Sequence, residues 1–229
     1  MKISIHQPQY IPWLPYFMKI DKSDIFIFLD SVDFQKNGLQ NRNEIKTGQG
    51  RHWLTVPVNQ CLGQKIKDTT INNNLNWKKK HLQSLKNCYS KSNFFHIYEP
   101  FLEELYSQEW NNLSDLNIEI IKKMMDWLGI ETPTYKSSNM EIMGSGSDLV
   151  LDICKKSGAT EYLSGVGGKS YLNLESFISA NIDIKFIDND LPKSYPQLFK
   201  KIDFLNDLSA IDIIFNCGER WKDKITFQN

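Results

Sequence analysis

The spacing of apolar positions changes several times along this chain, and each change predicts an element. Residues 2–6, KISIH, form a short apolar run at the very start and predict a buried strand. A helix is expected over PWLPYFMKIDKSD, where Pro12 can open it and Pro15 imposes a late start or a bend. Residues 25–30, IFIFLD, are a continuous β-type run, the pattern of a parallel strand covered on both faces. The stretch 32–58 carries an Asn37-Gly38 turn and a Gly48–Gly50 turn, which predict an antiparallel excursion ending in a strand over 53–58.

The middle of the chain reads as helical. Trp77, His81, Leu82, Leu85 and Tyr89 recur at helical spacing, a second helix is expected over 99–107, and Leu113, Leu116, Ile120, Ile121, Met124, Met125 and Leu128 mark a third, stopped by Gly129. Strand-like segments then return at 132–136, EYLSG and IDIKFID. Between them lie a helix over DLVLDICKKS, with Ser147 as its expected N-cap and Gly158 as its end, and a helix over LNLESFISAN. An amphipathic helix is expected around LFKKIDFLNDLSAIDIIFN in the tail. The order predicts an α/β fold: a mainly parallel sheet with an antiparallel hairpin insert and a helical insertion at about 76–130, in a single domain spanning 1–229.

Composition narrows the function classes. The 229 residues are 41% apolar, enough for a buried core, and 27 basic residues balance 27 acidic ones. That balance argues against DNA or other nucleic acid as partner, which usually calls for a basic excess. Cys61, Cys88, Cys154 and Cys217 are scattered without CxxC spacing and read as reduced thiols. No run approaches a transmembrane helix and no secretion signal opens the chain, so a cytoplasmic protein without membrane insertion is expected.

Candidate chemistry clusters at strand ends. His6 and Asp30 close the first two expected strands, at the edge where open α/β sheets bind ligands, and suggest a general base with an orienting carboxylate. The aromatics that follow, Tyr10, Trp13, Tyr16 and Phe17, are by residue type more often core than ligand wall. In QNRNEIK, Asn41 and Asn43 alternate with Arg42, Glu44 and Lys46. Arg42 and Lys46 would share one strand face and could clamp a phosphate or carboxylate, or form a solvated hairpin with ion pairs. The loop LSGVGGKS is no P-loop, since the first glycine position is Leu163, but Ser164, Gly165 and the residues to Gly168 could still meet an anion. Four histidines and four cysteines show no ligand spacing, so no metal site is expected, although carboxylates could hold magnesium beside a phosphate.

The opening HQPQYIPWLPYFMKI, with DIFIFLDSVDFQKNGLQNRNEIKT and WLTVPV, resembles the WbqC-like family. The resemblance continues through WKKKHLQSLKNCYSKSNFF, LSDLNIEIIKKMMDWLGI, YLSG and LSAIDIIFNCG, and departs at Pro15, where glycine is the family's expectation. It implies a role in bacterial surface polysaccharide (O-antigen) gene clusters and a glycine transferase activity, acylating an amino sugar. On that footing the expected function is N-acyl (aminoacyl) transfer to a nucleotide-linked amino sugar. His6 would be the base, Asp30 its orienter, Arg42 and Lys46 the diphosphate clamp. Gln7, Asn41 and Asn43 would be further binding groups, with Tyr10 and Trp13 stacking on sugar or base. No tightly bound cofactor is implied; the acyl donor stays open among CoA or carrier-protein thioesters and aminoacyl adenylates or esters, and an acyl carrier protein is a possible partner. Two rivals are an ATP-using, nucleotidylyltransferase-like activating enzyme and a non-catalytic module of a polysaccharide assembly complex.

Overall fold

The computed structural model describes residues 1–59 and 61–227. In chain order the elements are β1 (Lys2–His6), α1 (Leu14–Asp21), β2 (Ile25–Phe28), the hairpin β3 (Arg42–Thr47) and β4 (Gly50–Thr55), and the short pair β5 (Val58–Asn59) and β6 (Thr70–Ile71). Three helices follow, α2 (Trp77–Tyr89), α3 (Phe95–Ser107) and α4 (Leu113–Leu128), then β7 (Thr134–Lys136), α5 (Gly146–Lys156), β8 (Glu161–Gly165), α6 (Leu174–Ser179) and β9 (Asp183–Ile187). The tail adds β10 (Pro192–Ser194), α7 (Ile211–Cys217) and β11 (Thr226–Phe227).

The central sheet has five strands in the order β7-β2-β1-β8-β9, and every pairing in it is parallel. Counted along the chain this is the order 3-2-1-4-5 of doubly wound sheets. Period-two alternation divides the core into two layers. Ile3, Ile5 and Ile27 pack with Leu149, Val150, Ile153, Cys154 and Phe177, beneath α5 and α6. Phe26 and Phe28 face the other way, into a larger core with Tyr16, Phe17 and Ile20 of α1 and the apolar faces of α2, α3, α4 and α7. The residues of β1 that face α1 are polar: Ser4 is buried and accepts from Ser23 Oγ at 2.7 Å, and His6 stacks edge-on against Tyr16.

The expected parallel sheet, antiparallel hairpin and helical block are all present. Pro15 sits in the first turn of α1, where its missing N–H has no partner to lose, so the helix begins late, at Leu14. Asn112 caps α4 by accepting from the Asp115 amide, and Gly129 at φ +70° ends it. Three expectations need correction. Helix α5 starts at Gly146 behind Ser145, and the Ser147 hydroxyl instead accepts from the Asn173 amide at 2.9 Å. Helix α3 starts at Phe95, ahead of 99, and carries Pro100 inside it. The tail is helical only from Ile211. Before it, Phe199 takes φ +58°, Gln197 bonds both the amide and the carbonyl of Leu205, and the Ser209 amide donates to Glu44 of β3, so side-chain and inter-strand bonds replace the helical ladder.

Candidate functional site

The strand order reverses at β1: β2 lies on one side of it and β8 on the other. A crevice opens there, outside the carboxyl ends, where doubly wound sheets bind ligands. Pairing of β1 with β8 runs from Lys2–Glu161 to Ser4–Leu163, and the two strand ends beyond it form the walls. The cavity, about 300 Å³, is lined by His6, Gln7, Lys19, Ser164, Gly165 and Tyr171, with Tyr162 and the glycines at 167 and 168 among the remaining walls.

His6 is half-buried. Its Nδ1 lies 3.1 Å from the Gln7 carbonyl, which only accepts, so Nδ1 carries the proton and Nε2 is left with its lone pair. Burial, and secondarily the Lys19 ammonium, lower its pKa to about 3, so the ring is neutral throughout the physiological range. Lys19, in the last turn of α1, is buried with only 8% of its surface exposed. Its Nζ donates to the Ile5 carbonyl at 2.9 Å and, among the described residues, bonds no carboxylate; burial pulls its pKa down from 10.5 to about 7. Tyr171, half-exposed, stands at the mouth. Gly168 is required by close approach: a Cβ there would lie 2.1 Å from Ser164 Oγ and 2.9 Å from Leu172 Cδ1.

The sheet edge holds a second, larger cavity of about 410 Å³ on the far side of Gln7, lined by Ser31, Asp33, Gln35, Lys65 and the 144–146 turn. Its two charged groups neutralise each other, Lys65 to Asp33 at 2.7 Å. The smaller crevice holds the unprotonated ring nitrogen of His6 and the Lys19 amine.

Of the residues the sequence singled out, the fold brings His6, Gln7, Ser164 and Gly165 together. The others serve elsewhere. Asp30 makes no hydrogen bond to His6. Its buried carboxylate accepts from Ser137 Oγ at 3.0 Å, the Ser138 amide at 2.9 Å and Ser138 Oγ at 2.7 Å, fastening β2 to the turn after β7. Tyr10 is fully buried, its hydroxyl between His81 Nδ1 (2.8 Å) and Tyr106 (2.6 Å), and cannot stack on a ligand. Trp13 packs on the larger core and bridges to Ser209. Asn41 donates to the Val56 carbonyl and Asn43 to that of Ile11. Arg42 donates to the Asn37 carbonyl at 2.6 Å and lies over the Trp53 ring at 4.5 Å. Lys46 is buried, its Nζ bonded to Gln197 and the Ile202 carbonyl, with burial the main influence lowering its pKa. Arg42 and Lys46 of the expected anion clamp thus have structural partners, Trp53 and the Asn37 carbonyl for the first and the 197–202 loop for the second.

Several bonds hold the loop after β1. Asn43 holds Ile11, whose φ of +38° is costly for a β-branched residue. Asn117 of α4 donates to the Pro8 and Gln40 carbonyls, and Gln40 in turn donates to Gln7 Oε1 at 2.8 Å. Asn43 of the Asn-Arg-Asn group and Gln40 just before it thus help hold the loop that carries Gln7 at the crevice. Residues 7–224 match the WbqC-like protein family. The chain belongs to that family. Lys19 and Tyr171 were missed by sequence reasoning; an isolated lysine among the apolar residues of α1, with Ile20 beside it, was the available signal for the first. The uncharacterized protein Rv1507c of Mycobacterium tuberculosis is 34% identical over 230 residues, spanning 99% of this chain and 98% of its own. No solved structure matches this WbqC-like chain. Among the described residues no helix is long and apolar enough to cross a membrane.

Proposed function

We propose that this WbqC-like protein is an acyltransferase that moves an aminoacyl, glycyl-type group onto the amine of a nucleotide-linked amino sugar in bacterial surface polysaccharide assembly. The single observation that supports this reading best is the switch-point crevice containing a neutral imidazole with a free Nε2. In amide formation the amine attacks the acyl carbon, and its nitrogen becomes strongly acidic only once the new N–C bond has formed. A weak, neutral base held in place can take that proton. Gln7 and Ser164 supply hydrogen bonds for sugar hydroxyls, and Tyr171 offers an aromatic face to sugar or base. The donor is a thioester on CoA or a carrier protein, or an aminoacyl adenylate or ester, and no tightly bound cofactor takes part. The ATP-using alternative draws support from the 3-2-1-4-5 strand order, which often carries nucleotide sites.

The experiment is mass spectrometry of a nucleotide-diphosphate amino sugar incubated with the protein and candidate glycyl donors. A product heavier by one glycyl group, absent with His6→Gln, supports the proposal. ATP–pyrophosphate exchange without transfer supports the alternative. Binding of the sugar nucleotide with no turnover across all donors contradicts both.

A further inference from the structure

The transfer reading leaves one reactive group in the crevice unused. Lys19 projects from α1 toward the end of β1, and the groups around it are unusual for an ammonium. From β1 it meets the Ile5 carbonyl and His6. On its own helix its carbonyl accepts from Ser23 Oγ at 2.7 Å. Across the crevice the lining residues are Tyr162 and Ser164 of β8, then Gly165, Gly167, Gly168 and Tyr171. Among the described residues no carboxylate lines this cavity. Burying a lysine without an anionic partner costs free energy, and apolar substitution is the ordinary remedy. A single hydrogen bond to a backbone carbonyl leaves the rest of the nitrogen facing the cavity.

We propose that Lys19 is a covalent carbonyl-binding site: its Nζ forms an imine with an aldehyde or ketone of a small polar ligand seated between His6 and Ser164. In the step, the neutral amine's lone pair forms an N–C bond to the carbonyl carbon. The C–O bond of the resulting carbinolamine breaks, and the oxygen leaves as water with the two protons that the amine gives up. Burial favours this by keeping a large share of Lys19 neutral near pH 7, its pKa being about 7 where an exposed lysine stays near 10.5. Desolvated lysines of this kind are the ones that act as nucleophiles toward carbonyls. His6 stays neutral beside it and Tyr162 is held protonated by burial, so neither adds a charge that would restore the ammonium. Gln7 and Ser164 can hydrogen-bond the hydroxyls that accompany such a carbonyl.

The test uses the full-length protein and glycolaldehyde, an uncharged two-carbon probe, with cyanoborohydride as the reductant that converts each imine to a stable secondary amine. Labelling is followed lysine by lysine, by mass spectrometry of digests. At pH 7 Lys19 is expected to label at least ~10-fold faster than exposed lysines such as Lys79 and Lys80, because its neutral fraction is far larger. Its rate is expected to level off above about pH 8 while theirs keeps rising. Lys19→Met should abolish the fast adduct and leave the slow ones. Labelling of Lys19 at or below the surface rate in the folded protein, with equal labelling of all lysines in urea, overturns the proposal even where Lys19→Met fails to fold. A fast adduct at any other lysine overturns it as well. No amino-sugar substrate enters the assay, so its failure and failure of the transfer reading are told apart.

Discussion

Replacing Lys19 by methionine should change the sign of its effect on stability with pH. Methionine keeps the volume of the aliphatic stem and removes only the amine. In the folded protein the lysine titrates at about 7, against 10.5 when exposed. Between those values the unfolded chain binds one proton that the folded chain does not, so wild-type stability rises with pH through this window and falls as pH drops toward 7. A shift of this size corresponds to about 5 kcal/mol of cost at or below pH 7. Crevice water screens part of it, leaving roughly 2–4 kcal/mol. Against this, Lys19→Met strips the Ile5 carbonyl of its donor, at about 1–3 kcal/mol. The variant should therefore be equal to wild type or about 1–2 kcal/mol more stable at pH 6.5, and clearly less stable above about pH 9.5. Urea unfolding of both proteins at half-unit steps from pH 6 to 10 measures this directly. Two parallel stability curves across that range would refute the reasoning, because they would mean that Lys19 keeps its proton when folded.

Four further outcomes follow from named contacts. His6, held at about 3, makes the native state lose stability as pH falls from 6.5 toward 3; His6→Gln should flatten that part of the urea-versus-pH curve, and an unchanged slope would place the acid sensitivity elsewhere. Gly168→Ala should cost about 1–3 kcal/mol by driving into Ser164, whereas Gly165→Ala, with open space around its Cβ, should be tolerated; equal denaturation midpoints would contradict the crowding argument. Asn43→Ala should destabilise by about 1–3 kcal/mol in chemical denaturation, since it orphans the buried Ile11 carbonyl. Arg42→Lys should lower stability by about 1 kcal/mol, losing part of the stacking on Trp53 and the bond to Asn37, while calorimetric affinity for a nucleotide-diphosphate amino sugar stays within experimental error; a large loss of affinity would return the anion site to the hairpin.

The sheet was legible because its strands are short apolar runs ended by polar or turn residues, and because helices between them force parallel pairing. His6 at the end of β1 and Ser164–Gly165 at the end of β8 could be named from position alone, since strand ends define the binding edge. Which of the two neighbours of β1 would be β8 could not be read locally: that depends on the 3-2-1-4-5 order, a long-range property. The roles of Asp30, Arg42 and Lys46 were misread for one physical reason. A charged residue in a sequence looks available, and only the fold shows that Ser137, Trp53 and Gln197 have already engaged it. Tyr10 was misread in the same way, because its partners His81 and Tyr106 lie 71 and 96 residues away. Lys19 escaped notice for the opposite reason: an amphipathic helix ordinarily turns its lysine to water, and its apolar neighbours in LPYFMKID are only a weak signal that this one faces the sheet.

The central claim, that the crevice between β1 and β8 is where the ligand binds, can be tested with the four histidines as built-in reporters. His6 lines the crevice, His52 lies on the exposed hairpin strand β4, His81 is buried under Tyr10, and His96 is on α3. Their imidazole resonances, assigned with single His→Gln variants, are followed by NMR while a nucleotide-diphosphate amino sugar is added. The account predicts a saturable shift of the His6 signals alone. Saturable movement of His52 with His6 unmoved would put the ligand in the basic groove of His52, Lys79 and Lys80 and contradict the claim.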